Sequence, residues 1–178
     1  MRFAVFLRNV NLGRPRCPSK AQFEQAFLDA GATQASSFLV NGTLAFDAPA
    51  ARARTIVRSA TARLHEVCGL VEPAFLRRVD ALAALVQSDP FAAVDRAAVY
   101  ECCVTFTATD APELPPLPLS SRRGDVRLLA AAGGNVLSVC YKLGNTPGSP
   151  NAFIEKTLAA DASTRAWNTI VRLVAKYA

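Results

Sequence analysis

The sequence predicts an α+β fold with antiparallel sheets, divided into two subdomains at residues 1–78 and 79–178. Three observations carry this reading. Apolar runs of strand length alternate with segments whose apolar residues recur at helical spacing. Two glycine-containing dipeptides, Asn41-Gly42 and Gly133-Gly134, each sit between apolar runs and mark hairpins, which make sheets antiparallel. The chain has 178 residues, of which 51 % are hydrophobic and 19 % charged, enough to build a core in one medium domain or two small ones.

Taken in order, residues 2–8 (RFAVFLR) form the first strand. Phe3 and Phe6, three apart, face opposite sides of it. A loop rich in Asn, Gly, Pro and Arg follows. Ser19 with Gln22 three residues later has the pattern of a capping box and opens a helix. Phe23, Ala26, Phe27 and Ala30 share its apolar face, and Gly31 closes it. Residues 36–40 and 43–47 form a hairpin, for which Asn41-Gly42 suits a type I′ turn with positive φ at both residues. After Pro49 a long helix runs to about Cys68, with Ala53, Val57, Ala60, Leu64 and Val67 on its apolar face. Arg54, Arg58, Thr61 and His65 lie on its polar face, and Gly69 ends it. Residues 71–77 read as a strand. The order strand–helix–strand–strand–helix–strand is that of a ferredoxin-like unit.

The second half begins with a short helix over 80–87, stopped by Pro90, and a strong strand over 99–107. Residues 110–121 hold four prolines and read as a loop. A second hairpin, 125–131 with 135–143, turns at Gly133-Gly134. Ser149 caps a helix with Pro150 in its first position. Ser163 is read as the cap of the last helix, whose stripe is Trp167, Ile170, Val171, Val174 and Tyr177. Trp167 on that stripe reads as core.

Composition narrows the function classes. Mean hydropathy is +0.19, and charges interrupt every apolar stretch well before the roughly 18 residues of a membrane span. The opening residues are too short an apolar run for a signal peptide core. A cytoplasmic protein without membrane partners is expected, a monomer or weak homodimer. The net charge is +6, but 16 of the 20 basic residues are arginine in an alanine-rich chain, the signature of a GC-rich genome. The local excess is residues 1–20, with Arg2, Arg8, Arg14, Arg16 and Lys20 and no acid. Five cysteines without C-x-x-C spacing argue against a disulfide framework or a structural zinc site. A single histidine, His65, leaves metal sites and histidine-based triads little to work with, and no cofactor is expected.

Two constellations remain as candidate binding sites. The loop containing Arg8, Asn11 and Gly13 leaves a strand and enters a capped helix, where backbone N–H groups and a guanidinium suit an anion; the bland alternative is an ordinary polar loop. It has neither a P-loop nor a G-x-G-x-x-G pattern. The segment 163–169 holds Thr164, Arg165 and Asn168, read as the start of a helix with Arg165 and Asn168 on one face. The arginines at 77, 78, 122, 123 and 127 suit solvated surface better than a phosphate site. Cys102 and Cys103 read as small core residues on opposite faces of a strand, and Cys17 is the one thiol placed for reactivity.

Three segments resemble one family. FLRNVNLGRPRCPSKAQFEQAFLDAG, FLVNGTLAFDA and STRAWNTIVRL are similar to the opening loop and helix, the first hairpin and the final motif of the bacterial family catalogued as domain of unknown function 1697. EPAFLRRVDALAALVQSDPF is similar to its middle stretch. The resemblance implies two ferredoxin-like subdomains and no established activity. It draws attention to Arg8, Asn11, Gly13, Gly42, Thr164, Arg165, Trp167, Asn168 and Thr169. The sequence departs from the family pattern where Arg-Gly becomes Arg8-Asn9, where Arg14 replaces a glycine, and where Val40-Asn41-Gly42-Thr43 loses two polar side chains. A basic stretch is also replaced by Gly144-Asn145-Thr146-Pro147.

The expected function is therefore that of a non-enzymatic binding protein for an anionic or polar ligand, a nucleotide or nucleic-acid phosphate. Arg8, Asn11, Gly13, Asn41, Thr164, Arg165 and Asn168 are its candidate residues. Two alternatives stay open: a hydrolase or transferase acting on phosphorylated small molecules, and an RNA-binding or ribosome-associated module.

Overall fold

The computed structural model describes residues 1–178. The chain forms two compact units, Met1–Ala84 with Leu173–Ala178, and Leu85–Arg172.

The first unit runs β1 (Arg2–Leu7), α1 (Lys20–Asp29), β2 (Gln34–Phe38), β3 (Thr43–Asp47), α2 (Ala53–Cys68), β4 (Ala74–Arg78) and the start of α3 (Val79–Gln87). Its four-stranded antiparallel sheet has the order β2-β3-β1-β4. The central strand β1 buries Phe3, Val5 and Leu7 in a core shared with Leu44 and Phe46 of β3, Phe23 and Phe27 of α1, and Ile56, Ala60 and Leu64 of α2. Phe46 lies 5.6 Å from Phe3 and 5.2 Å from Phe27 between ring centroids. Each such ring contributes about 1.5–3 kcal/mol by leaving water. Ala4 and Phe6, on the other face of β1, are fully buried as well.

Local chemistry sets the helix ends. Ser19 Oγ accepts the Gln22 amide and Gln22 Oε1 accepts the Ser19 amide, so two otherwise orphaned donors are satisfied at the start of α1. A single 3₁₀ turn, Ala50–Arg52, leads into α2. At its end Gly69 adopts φ +72° and donates to His65 O at 2.8 Å. Glu24 of α1 reaches the outer strand, where its Oε1 accepts both the amide and the hydroxyl of Ser37, at 2.8 and 2.9 Å. Near the C-terminus, Tyr177 donates to Ser36 Oγ and packs edge-on against Phe38. The Arg2 guanidinium lies 5.8 Å from the Tyr177 ring centroid and makes two bonds to Asp47, whose carboxyl it holds below the usual carboxylate range.

The second unit carries a five-stranded antiparallel sheet, order β11-β5-β8-β7-β6. Its strands are β5 (Glu101–Thr107), β6 (Leu119–Ser120), β7 (Val126–Ala132), β8 (Asn135–Cys140) and β11 (Ala162–Ala166). A two-residue strand pair, β9 (Lys142–Leu143) with β10 (Thr146–Pro147), precedes α4 (Pro150–Leu158). The turn Gly133-Gly134 has φ +55° and +72° and pairs Ala132 with Asn135, the tight type I′ geometry. Ser149 Oγ accepts the Ala152 amide, with Pro150 at the first helical position. Ile154 of α4 packs with Cys103, Val126, Leu128, Val136, Cys140 and Ala162. Trp167 is buried beside Phe91, ring centroids 5.1 Å apart. Apart from β6, the second sheet repeats the strand order of the first. The proline-rich segment 108–118 stands where the first unit has α1, because proline removes a helical donor and clashes with the preceding turn.

The structure corrects two local expectations. The first hairpin is not a two-residue Asn41-Gly42 turn. Phe38 pairs with Thr43, so four residues form the loop, and Leu39 (φ +60°) and Gly42 (φ +69°) take the left-handed positions. Residues 162–166 are strand, not the cap and first turn of the last helix. They pair with Cys103–Thr107 of β5, and α5 (Trp167–Tyr177) starts after them. Sheet pairing with a long apolar strand overrides the local capping signal of Ser163.

Gly42 is fixed by packing as well as by dihedral. A Cβ there meets Val10 Cβ at 2.6 Å and Leu7 Cβ at 3.2 Å, whereas a Cβ at Gly13 (φ +81°) meets nothing within 4 Å. Gly42→Ala is therefore expected to cost about 2–3 kcal/mol and Gly13→Ala about 1 kcal/mol. Urea unfolding of the two variants checks this; equal costs would show that packing against Val10 is unimportant.

Candidate functional site

The first loop of unit one is built against the first hairpin. Leu7 donates its amide to Gly42 O and Leu12 to Val40 O, both at 2.8 Å, and Val10 is buried against Gly42. Within the loop, Gly13 donates to Pro18 O, Arg14 to Asn11 O and Cys17 to Arg14 O. The chain is thus held at both ends and in its middle before it enters α1.

Arg8 does not project into solvent. Its amide donates to Pro73 O, and its Nη1 bonds Glu72 Oε2 at 2.9 Å, with both side chains about a quarter exposed. This pair ties the loop to the α2–β4 connection. Asn11 and Gly13 are exposed on the loop. Asn41, half-buried, accepts the Thr43 hydroxyl on its Oδ1 at 2.8 Å.

A cleft of about 590 Å³ opens beside this loop. One wall is Asn9, Pro15, Arg16 and Cys17; the other is Cys68, Gly69, Leu70, Val71 and Glu72. Two of its residues are non-glycines in the left-handed region, Asn9 at φ +51° and Arg16 at φ +59°. Asn tolerates that conformation through its short polar side chain; Arg has no such compensation, and the cost is about 1–2 kcal/mol. Arg16 is exposed and makes no ion pair. Asn9 belongs to the loop singled out from the sequence, whereas sequence reasoning missed Arg16, Cys68 and Glu72 as cleft residues: the left-handed Arg16 leaves no trace in composition or spacing. Cys17 is half-buried and shares the cleft with Cys68. His65 sits at the far end of α2, its Nδ1 3.2 Å from Leu70 O.

The remaining candidates belong to unit two. Thr164 is on β11, its hydroxyl 2.7 Å from that of Thr105 and 3.1 Å from Asn151 Oδ1 on α4. Arg165 points to the opposite face of the strand and is buried, donating to Ser163 Oγ and Thr164 O. Burial pushes its guanidinium down to about 10, so it stays charged at neutral pH. Asn168 is exposed in the first turn of α5. Arg165 and Asn168 therefore do not share a helix face, contrary to the sequence reading. Cys102 and Cys103 are buried on opposite faces of β5. The Cys103 thiol, hydrogen-bonded to Cys140 and buried, is pushed up; the same bond draws Cys140 down. A second cleft, of about 460 Å³, has Glu113 and Asp161 among its lining residues and so disfavours anions. No group of three or more His, Cys, Asp or Glu side chains is placed to hold a metal ion, and no helix is long and apolar enough to cross a membrane.

Comparison with known proteins gives one family and one fold. A family model described as Protein of unknown function (DUF1697) matches residues 1–135. No curated protein matches the chain. Among solved structures, the conserved bacterial protein SP0830 from Streptococcus pneumoniae is similar over 98 % of this chain and 97 % of its own, with TM-score 0.62 and 14 % identity. At that identity the likeness concerns the fold.

The Thr105–Thr164–Asn151 chain of hydrogen bonds joins β5, β11 and α4. Thr164→Val leaves the buried Thr105 hydroxyl short of its partner and is expected to cost about 1–2 kcal/mol, with Thr164→Ser costing less than half as much. Chemical denaturation of the two variants reads the difference; a Ser variant as unstable as the Val variant would assign the loss to packing.

Proposed function

Because the chain belongs to the family described as Protein of unknown function (DUF1697), a membership that carries no reaction with it, we propose a function from the site itself: the protein binds a small anionic ligand in the cleft beside its first loop and does no chemistry on it. The observation that carries this reading is Arg16, an exposed guanidinium without a carboxylate partner, held in the left-handed region at the mouth of a cleft. Strain of this kind persists only where the surroundings enforce it, and it gathers at ligand sites. The Asn9 amide offers both donor and acceptor to the same space. Arg8 neutralises Glu72, the carboxylate of the opposite wall, so the cleft does not repel an anion. Asn11, Gly13 and Asn41 shape the loop and hairpin that hold Arg16.

The absence of chemistry rests on the groups present. Glu72 is engaged by Arg8 and His65 faces a backbone carbonyl, which leaves the cleft without a positioned general base. In this reading Thr164 and Arg165 secure β11. We read both units as ferredoxin-like. The first has the element and strand order of that type, and the second keeps the strand order with a proline-rich loop in place of one helix. Five free thiols suit a reducing compartment, and we place the protein in the cytoplasm.

Thermal-shift titration with inorganic phosphate, nucleotides and small dicarboxylates tests the reading. A ligand at about 100 times its Kd adds about 2.7 kcal/mol of stability, a rise of several degrees for a chain of this size. Arg16→Ala should abolish the rise. Arg16→Gly should abolish it too while leaving the unliganded protein at least as stable, because glycine relieves the strain. A shift that survives both substitutions, no shift with any probe, or turnover of a bound probe would overturn the proposal.

A further inference from the structure

Charge on the first unit is sorted in an uneven way. Arg2, Arg8, Arg63 and Arg78 are each paired with a carboxylate: Asp47, Glu72, Glu66 and Asp80. Arg54 and Arg58 are exposed on α2 and have no such partner. Between Asp47 and Glu66 the sequence has four arginines and no acid. Arg54, Arg58, Thr61 and His65 recur at intervals of four, three and four, so they lie along one side of α2. Arg63, with its partner Glu66, falls off that row. The row spans about 16 Å at 1.5 Å per residue. Its C-terminal end reaches the cleft, because His65 faces Leu70 O and Leu70 lines the cleft together with Arg16.

Like charges one turn apart repel each other, and cations near a helix N-terminus oppose its dipole. α2 nevertheless begins with Arg52 and Arg54, has no acid in its first turn, and has no side-chain cap. An exposed, acid-free row of this kind is complementary to a polyanion. We propose that the α2 row binds the sugar–phosphate backbone of single-stranded nucleic acid, with Arg54 and Arg58 on successive phosphates and the strand running toward Arg16. No aromatic side chain accompanies the row, so bases are not stacked and binding is indifferent to sequence. A membrane is a poorer match, since the apolar face of α2 (Ala53, Ile56, Val57, Ala60, Leu64) is buried in the core instead of being free to enter lipid. The inference goes beyond the small-ligand reading of the cleft and stands without it.

Fluorescence anisotropy of the full-length protein with a labelled oligouridine about 20 nucleotides long tests this. Single-strand binding loses about 0.7 in log–log salt slope per phosphate contact, so contacts from Arg16, Arg54 and Arg58 predict a slope near −2 between about 50 and 200 mM salt. Arg54→Gln with Arg58→Gln should weaken binding at least about tenfold and flatten the slope by about 1.4, with the melting temperature unchanged. Arg122→Gln with Arg127→Gln, exposed arginines of unit two, removes the same net charge and should leave affinity within about twofold. Equal loss in both double variants would show diffuse attraction to a basic protein and overturn the proposal. So would no oligouridine binding at low salt, or binding only to anionic vesicles that depends on Arg54 and Arg58. The phosphate-induced thermal shift should survive Arg54→Gln with Arg58→Gln and vanish in Arg16→Ala, which separates the two sites.

Discussion

The first unit is organised around the place where Val10 presses on Gly42 while Leu7 and Leu12 donate their amides into the first hairpin. The hairpin tip carries Leu39 in the left-handed region, and the loop carries Asn9 and Arg16 there. Leu39 and Asn9 lie close to the two amide bonds that cross between the segments, while Arg16 is held within the loop, where Gly13 donates to Pro18 O and Cys17 to Arg14 O. With the loop fixed, Arg8 meets Glu72, and the connection after α2 becomes the second wall of the cleft. A contact between a valine and the missing side chain of a glycine thereby positions charged groups that touch neither residue.

The features that could be read from sequence are those closed within a few residues. Ser19 with Gln22, Gly69, Ser149 with Pro150, and Gly133-Gly134 each satisfy or bend the backbone locally, and each appears in the structure where its pattern stands. Features that depend on a distant partner could not be read this way. Ser163 looks like a helix cap until β5 is available to pair with residues 162–166. Asn41-Gly42 looks like a two-residue turn until Val10 occupies the space beside Gly42 and widens the loop to four residues. The site follows the same division. The polar loop around Arg8 and Asn11 is visible in the sequence, but the left-handed backbone at Arg16 has no residue signature, and the second wall from Cys68 to Glu72 arises only when residues more than 50 positions apart meet.

The net charge of +6 takes on a different meaning once the partners are known. Arg2, Arg8, Arg63 and Arg78 serve local structure with their carboxylates, and Arg165 is spent inside the second unit. Among the arginines of the first unit, those left without a carboxylate for an outside partner are a small set, Arg14 and Arg16 on the loop and Arg52, Arg54 and Arg58 at the start of α2. Pairing, more than composition, separates the arginines that build the fold from those that face the solution.

Glu24 has a consequence for how copies of the protein behave toward one another. β2 is the outer strand of its sheet, and an outer strand presents unpaired amides that invite another strand to add. At Ser37 the Glu24 carboxylate already occupies the position a neighbouring carbonyl would take, and it brings a negative charge with it. An incoming strand must displace that carboxylate and bury it or find it a new partner. One side chain from a helix thus discourages edge-to-edge growth of the sheet, protecting the unit from aggregation by a bond that also fastens α1 to β2.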